Sequence, residues 1–195
     1  MKIIGVTGGS GSGKTTLLNR FALSGAATAD CDDIYHRLAE HSYPMLRELE
    51  LAFPSAFENG KLNRKTLGNI VFNDGSRLRT LNSIAWKYVD EEVNLLIEST
   101  ANSILVLDAI ELIESGMSAW CAATIAVTAP IKARIARLLK REAITAEYAL
   151  ARINAQKSNE WFSDNCDYTL ENNGTEDEFA VKCDALIAEL YSTLT

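Results

Sequence analysis

The chain has 195 residues, 47% of them hydrophobic and 23% charged, and a net charge of −7. That size and balance suit one compact globular domain, or a core with small subdomains. No apolar run reaches the roughly 18 residues a membrane span needs, and an acidic balance argues against a nucleic-acid binder, which carries a basic patch. The cysteines, Cys31, Cys121, Cys166 and Cys183, are scattered without a C-x-x-C pair, and there are two histidines. Neither a structural zinc site nor a disulfide framework is expected; reduced thiols in a cytoplasm are.

Residues 2–7, KIIGVT, read as a short buried strand that begins at once and leaves no room for a signal peptide. A helix follows over 14–24, its N-terminus formed by a glycine-rich loop, and a second short strand, AATA at 26–29, ends at Asp30. From Asp32 to about Ser99 the patterning is mostly helical, with breaks at 42–44 (SYP), 53–55 (FPS), 58–61 (ENGK) and 73–76 (NDGS). Apolar strands return at 103–109, SILVLDA, and at 123–130, ATIAVTAP. Helices are expected over 131–141 and 145–157, where Thr145 and Glu147 favour a start. A last short strand, DYTLENNG at 167–174, runs into a turn, and an amphipathic helix closes the chain over 176–191. There is no internal repeat, low-complexity tract or linker.

Short apolar strands separated by helices imply an α/β fold with a parallel sheet covered on both faces. The distance from Ala29 to Ser103 is too long for a simple crossover helix, so a helical subdomain is expected there.

The opening loop contains Gly8-x-x-x-x-Gly13-Lys14-Thr15, the P-loop pattern, after a strand and before a helix. Glycines let backbone N–H groups turn inward toward an anion, and the following helix points its positive end at the same place. Lys14 can reach the β- and γ-phosphates, and the Thr15 hydroxyl can hold Mg²⁺. The alternative is a Gly-rich turn without a ligand. The loop does not say what happens to the γ-phosphate. A small-molecule kinase, a GTPase-type switch, a mechanical ATPase and a non-catalytic nucleotide binder all remain open. No N-K-x-D guanine reader is present, and motors usually need a longer chain. A kinase further requires an acid at the acceptor hydroxyl, cations that follow the moving phosphoryl charge, and an acceptor pocket.

ADCDDIYHRL places Asp30, Asp32 and Asp33 after the second strand, where α/β sheets bind ligands. In an extended segment Asp30 and Asp32 share a face, and one of them could orient the acceptor hydroxyl or hold metal-bound water. The competing reading is a helix N-cap. KARIARLLKR sets Arg134, Arg137 and Arg141 on one helix face, either as a solvated surface or as a lid whose arginines clamp triphosphate oxygens. Arg152 lies on the next helix.

These stretches together resemble the dephospho-CoA kinases over nearly the whole chain. IGVTGGSGSGKTT is similar to that family's opening and ADCDDIYHRL to its D-x-D-x-I segment. NGKLNRKTLGNIVFND resembles its G-x-L-[DN]-R-x-x-L-x-x-x-V-F stretch, which is more specific than a Walker motif. LDAIELIESG, RLLKREAITAEYALARINAQ and DYTLENNG resemble its D-x-P-L-L-x-E segment, its R-x-x-x-R…R-I-x-x-Q lid region and its D-x-x-I-x-N-x-G turn.

The resemblance implies a P-loop NTPase core with a five-stranded parallel sheet flanked by helices, formed by 1–31 and 100–195. It also implies a small lid over about 132–160 and a helical acceptor (CoA)-binding insertion over 32–99. The implied reaction is phosphoryl transfer from ATP, with Mg²⁺, to the ribose 3′-hydroxyl of dephospho-CoA. Asp32 would be the base or orienting acid. Gly9, Gly11, Ser12, Gly13, Lys14, Thr15 and Thr16 would bind nucleotide, with Thr15 on Mg²⁺. Arg137 and Arg141 would be lid cations, and Asn172, Asn173 and Gly174 would pass near the adenine. Arg64 would be either an acceptor contact or a structural ion pair. Asp108, at the end of an apolar strand, is a candidate holder of metal-bound water. A cytoplasmic monomer is expected, with a small-molecule substrate and neither a nucleic-acid nor a membrane partner.

Two segments depart from the family pattern. Trp86 and Lys87 stand where the family has His-Pro, and Ile110 and Glu111 replace its proline and first leucine. Both lie on the acceptor side, where Trp86 would fill the histidine's volume or stack on a different base. Lys87 would be a phosphate contact or solvated surface. The alternatives are therefore a related P-loop kinase acting on a nucleoside or nucleotide, since GGSGSGKTT also resembles the uridine kinase loop, or a catalytically weak nucleotide-binding paralogue.

Overall fold

The structure, a computed structural model, describes residues 1–71 and 74–194. Phe72 and Asn73, which belong to the V-F motif and to the expected break at 73–76, lie outside the described residues. In chain order the elements are β1 (Lys2–Thr7), α1 (Lys14–Leu23), β2 (Ala27–Asp30), α2 (Cys31–His41), α3 (Tyr43–Ala52), β3 (Phe57–Glu58), β4 (Lys61–Leu62), α4 (Arg64–Val71) and α5 (Gly75–Ser99). There follow β5 (Ile104–Asp108), β6 (Ala123–Thr128), α6 (Ile131–Arg141), α7 (Ala146–Asn154), α8 (Asn159–Asp164), β7 (Tyr168–Glu171) and α9 (Glu176–Leu194). The chain divides into two units, Met1–Asp30 with Ala101–Thr195, and Cys31–Thr100.

The first unit is built on a five-stranded sheet in the order β2-β5-β1-β6-β7, every neighbouring pair parallel. Strand alternation selects its faces. Ile4, Val6, Ile104, Val106, Ile125, Val127 and Leu170 point to one side, where α1 supplies Leu17, Leu18 and Phe21 and α9 supplies Phe179, Cys183, Leu186, Ile187 and Leu190. β1, β5 and β6 are buried nearly throughout, which is why their sequences read as apolar runs rather than alternating ones. Arg20 of α1 forms a two-pronged ion pair with Asp184 of α9 at the edge of this layer. α6 and α7 pair through a small seam of Leu138, Ala149 and Ile153. The Thr145 hydroxyl caps α7 by accepting from the Tyr148 N–H at 3.2 Å, as the sequence suggests. The helix expected over 145–157 is shorter, and a further helix follows it. α7 stops at Asn154 and α8 starts afresh behind a Ser158 cap, its hydroxyl accepting from the Trp161 N–H at 3.1 Å.

The second unit is helical, with its own core of Ala39, Met45, Leu49, Phe53, Ala56, Leu67, Val71, Ile84 and Ala85. The break at 42–44 is a helix start. Ser42 caps α3 and Pro44 sits in its first turn, where a missing N–H costs nothing. The ENGK break is a hairpin joining β3 to β4. Asn59 (φ 52°) and Gly60 (φ 74°) supply the two left-handed residues such a two-residue turn requires.

Leu49 is fully buried in this second core. Leu49→Ala is expected to destabilise the protein by about 2–5 kcal/mol, read as a lower urea midpoint; a midpoint unchanged from wild type would contradict the assignment of this core.

Candidate functional site

The site lies within the first unit, where β1 ends and α1 begins. Gly13, the N-cap of α1, has φ 115°, a conformation that disfavours any side chain. A Cβ there would also collide with the Asn172 amide. The pattern's spacing is thus a packing requirement as well as a ligand signature.

Three consecutive loop carbonyls are gripped from outside the loop. The Ser10 oxygen accepts from Arg134 Nε at 2.9 Å. The Gly11 and Ser12 oxygens accept from Arg137 Nη1 at 3.1 and 3.2 Å, and the Ser12 oxygen also accepts from Asn172 Nδ2 at 2.8 Å. In a trans peptide N–H and C=O point in opposite directions. Holding these oxygens outward therefore turns the amides of Gly11, Ser12 and Gly13 the other way. The Ser12 amide closes a turn to the Gly9 oxygen at 3.1 Å. Among the described residues, the amides of Gly11, Gly13, Lys14 and Thr15 have no hydrogen-bond partner. The Ser12 hydroxyl is buried beside them and also has none. A concave set of unmet donors at a helix N-terminus fits an anion.

Lys14 arches over this set. Its Nζ donates to the Gly8 oxygen at 3.1 Å and stands 3.8 Å from Asp108 Oδ1. Asp108 is buried at the end of β5. Thr15 is exposed in the first turn of α1, and the Thr16 amide is bonded to the Gly13 oxygen at 3.0 Å. Among the described residues, no group of three or more His, Cys, Asp or Glu is placed to hold a metal. A Mg²⁺ ion bound mainly through phosphates, water and one hydroxyl needs no such group.

The α6 arginines fall into two kinds. Arg134 is only 2% exposed and Arg137 is half-buried, so neither is solvated surface. Burial lowers both their pKa values, yet a guanidinium stays charged at neutral pH. Arg137 Nη2 also donates to Asn172 Oδ1 at 2.8 Å, and the Asn172 amide donates to the Thr128 oxygen at 2.8 Å. Arg137 and buried Asn172 thus brace the loop. Arg141, by contrast, is exposed and bonded to Glu142, whose other oxygen accepts from Arg152 Nη1 at 2.9 Å. The bond from Arg141 holds the Glu142 carboxyl below its usual range. Asn173 and Gly174 line an open cleft of about 430 Å³ with Glu178, Val181 and Lys182.

The shared face expected for Asp30 and Asp32 does not form. Asp30 ends β2, but α2 starts at Cys31, so Asp32 lies in its first turn. Acidic residues are stable there because of the helix dipole, and strand alternation no longer applies. Within the second unit, Arg64 Nη2 donates to the His36 oxygen at 3.2 Å and to Glu40 Oε1 at 3.0 Å. The ion pair leaves the guanidinium partly exposed, so it does not exclude the acceptor contact. Trp86 is half-buried on α5, and Lys87 Nζ is bonded at 2.8 Å to Glu48, which also accepts from the Tyr88 hydroxyl. Of the altered pair after β5, Ile110 is anchored by the Thr7 hydroxyl, which donates to its oxygen at 3.0 Å.

The partners of two residues at the loop were not identified from the sequence. The helical repeat puts Arg134 on the face of Arg137 but does not indicate its burial. Gln156, the glutamine of the R-I-x-x-Q lid motif at 152–156, accepts from the Ser10 amide at 2.8 Å across 146 positions, a partner the motif does not indicate.

A profile of the dephospho-CoA kinase family matches residues 2–178. A dephospho-CoA kinase of Thermobifida fusca is 34% identical over 98% of this chain and 95% of its own. One from Oryza sativa is 31% identical over 100% of this chain and 87% of its own. A solved Thermus thermophilus structure superposes with a TM-score of 0.84 at 30% identity, covering 97% of each chain. A Bacteroides thetaiotaomicron shikimate kinase shares the fold at a TM-score of 0.55 and 15% identity, covering 98% of each chain.

Arg137→Lys removes the planar fork that spans the Gly11, Ser12 and Asn172 acceptors. Mg–ATP affinity measured by calorimetry is expected to fall about tenfold, the scale of a lost charged hydrogen bond; unchanged affinity would show that the fork does not shape the loop.

Proposed function

The chain belongs to the dephospho-CoA kinase family, and on that premise we propose that it transfers the γ-phosphoryl group of ATP to the ribose 3′-hydroxyl of dephospho-CoA, giving CoA in the last step of coenzyme A biosynthesis. The observation that carries this reading is the set of four unmet amides at Gly11, Gly13, Lys14 and Thr15, covered by the Lys14 ammonium. Such a cradle suits a polyphosphate chain and gives a kinase the electrostatic positioning on which phosphoryl transfer mainly depends.

In this reaction the 3′-oxygen of the acceptor attacks the γ-phosphorus, and the bond from that phosphorus to the β–γ bridging oxygen breaks. ADP leaves with the bridging oxygen, and the hydroxyl proton passes to Asp32 as base or orienting acid. The loop amides and Lys14 stabilise the charge that spreads over the β- and γ-oxygens. Arg137 and Arg141 are the lid cations, and phosphate draws Arg141, with Arg152 beside it, away from Glu142 at the tip of the α6–α7 pair. Asn173 and Gly174 border the adenine. Mg²⁺ would be held by the Thr15 hydroxyl and, through water, by Asp108, and would neutralise phosphate charge. The helical unit Cys31–Thr100 is the acceptor-binding part, with Trp86 as a contact. Arg64, paired with Glu40, is an acceptor contact or a structural ion pair of that part. A cytoplasmic monomer without a nucleic-acid or membrane partner agrees with a net charge of −7 and with the finding that no described helix is long and apolar enough to cross a membrane.

A coupled assay with dephospho-CoA, adenosine and uridine as acceptors tests the substrate. Turnover is expected with dephospho-CoA; turnover only with a nucleoside, or with none of the three, would overturn the proposal. Asp32→Asn is expected to lower kcat about 100-fold, the scale of general-base catalysis, while sparing ATP affinity. An unchanged kcat removes Asp32 from the reaction. Lys14→Ala should impair ATP use with every acceptor, and full activity in that variant would overturn the role of the loop.

A further inference from the structure

We propose that Gln156, two residues beyond α7, is a positioning residue for the nucleotide site that acts through Ser10; this deepens the reading of the loop as an ATP cradle and rests on it. Every polar group of Ser10 is held from outside the loop. Its N–H donates to Gln156 Oε1 at 2.8 Å, its hydroxyl accepts from Gln156 Nε2 at 2.8 Å, and its oxygen accepts from Arg134 Nε at 2.9 Å. Arg134 Nη2 donates to the same Gln156 Oε1 at 3.0 Å. Ser10 is 4% exposed, so water cannot readily replace these partners, and a buried polar group left unmet is costly.

The carboxamide has one acceptor and one donor end, and this arrangement uses both. By taking the Ser10 N–H, Gln156 fixes the plane of the peptide that precedes the three outward carbonyls. It also orients the buried Arg134, which approaches so closely that any side chain at Gly9 would collide with its guanidinium. Arg134 stands on α6 and Gln156 follows α7, and these helices share the Leu138–Ala149–Ile153 seam. The loop is therefore tied to both members of the helix pair, and a shift of α7 relative to α6 reaches the cradle through one side chain. Gln156 acts on ATP affinity by keeping the amides aimed, without touching the nucleotide.

Gln156→Ala is expected to raise the Mg–ATP dissociation constant about tenfold, the size of effect when paired buried groups lose a partner. The KM for ATP should rise in parallel and the KM for dephospho-CoA should not. Adding Ser10→Ala to Gln156→Ala should weaken ATP binding less than it does in the wild type, since the two share one interaction. Unchanged ATP affinity, an equal rise in both KM values, or simple additivity would overturn the proposal. If Gln156→Ala lowers the melting temperature without ligand, Gln156→Met decides. It keeps the length and approximate volume, adds no charge, and removes the bonds to Ser10 and Arg134. About threefold weaker ATP binding supports the proposal and wild-type binding overturns it. A wild-type enzyme inactive on dephospho-CoA would refute the assigned reaction, while the dissociation constants would still judge Gln156.

Discussion

The nucleotide site depends on the direction in which a few peptide planes face. Left alone, a glycine-rich loop samples many backbone conformations, and that freedom is a cost of ordering it. Here two guanidinium groups and two side-chain amides hold the Ser10, Gly11 and Ser12 peptides with their oxygens outward. Peptide planarity then sends the following N–H groups inward. The P-loop glycines permit this arrangement; α6, Gln156 and Asn172 impose it.

The same contacts bury positive charge. Arg134 and Arg137 are bonded to carbonyl and amide oxygens, with no carboxylate among their described hydrogen bonds. Fixed dipoles support each guanidinium without neutralising it. With Lys14 they make a local positive region in a chain whose net charge is −7. Glu176 bears on Arg137 through charge alone. Asp108, 3.8 Å from the ammonium, is the acidic group set against Lys14. Farther along α6 the balance differs, because Glu142 already satisfies Arg141 and Arg152.

What the sequence discloses follows the range of the interactions. The loop, its strand and its helix are local, and KIIGVT and GGSGSGKT are enough to recognise them. The central strands are legible because burial on both faces makes them continuous apolar runs. Asn59-Gly60 carries a hairpin signal, but flanks of two residues each are too short to read as strands. The extended reading of Asp30 and Asp32 failed because a helix start reaches one residue further back than the apolar pattern suggests. The α6 sequence does not show that Arg134 and Arg137 hold the loop's carbonyls. Helical periodicity gives a face and not its partner, and that partner, the loop, lies more than 120 positions away. Gln156 stands in the R-I-x-x-Q lid motif, but its bond to Ser10 is hidden for the same reason.

Residue-resolved amide hydrogen exchange, with and without Mg–ATP, tests the central claim most directly. In the free protein the Ser10 and Ser12 amides should exchange slowly, because Gln156 and Gly9 already hold them. The amides of Gly11, Gly13, Lys14 and Thr15 should exchange fast and become protected only when nucleotide binds. Fast exchange at Ser10 in the free protein, or no gain of protection at those four positions with ATP bound, would contradict a cradle built in advance by outward-held carbonyls.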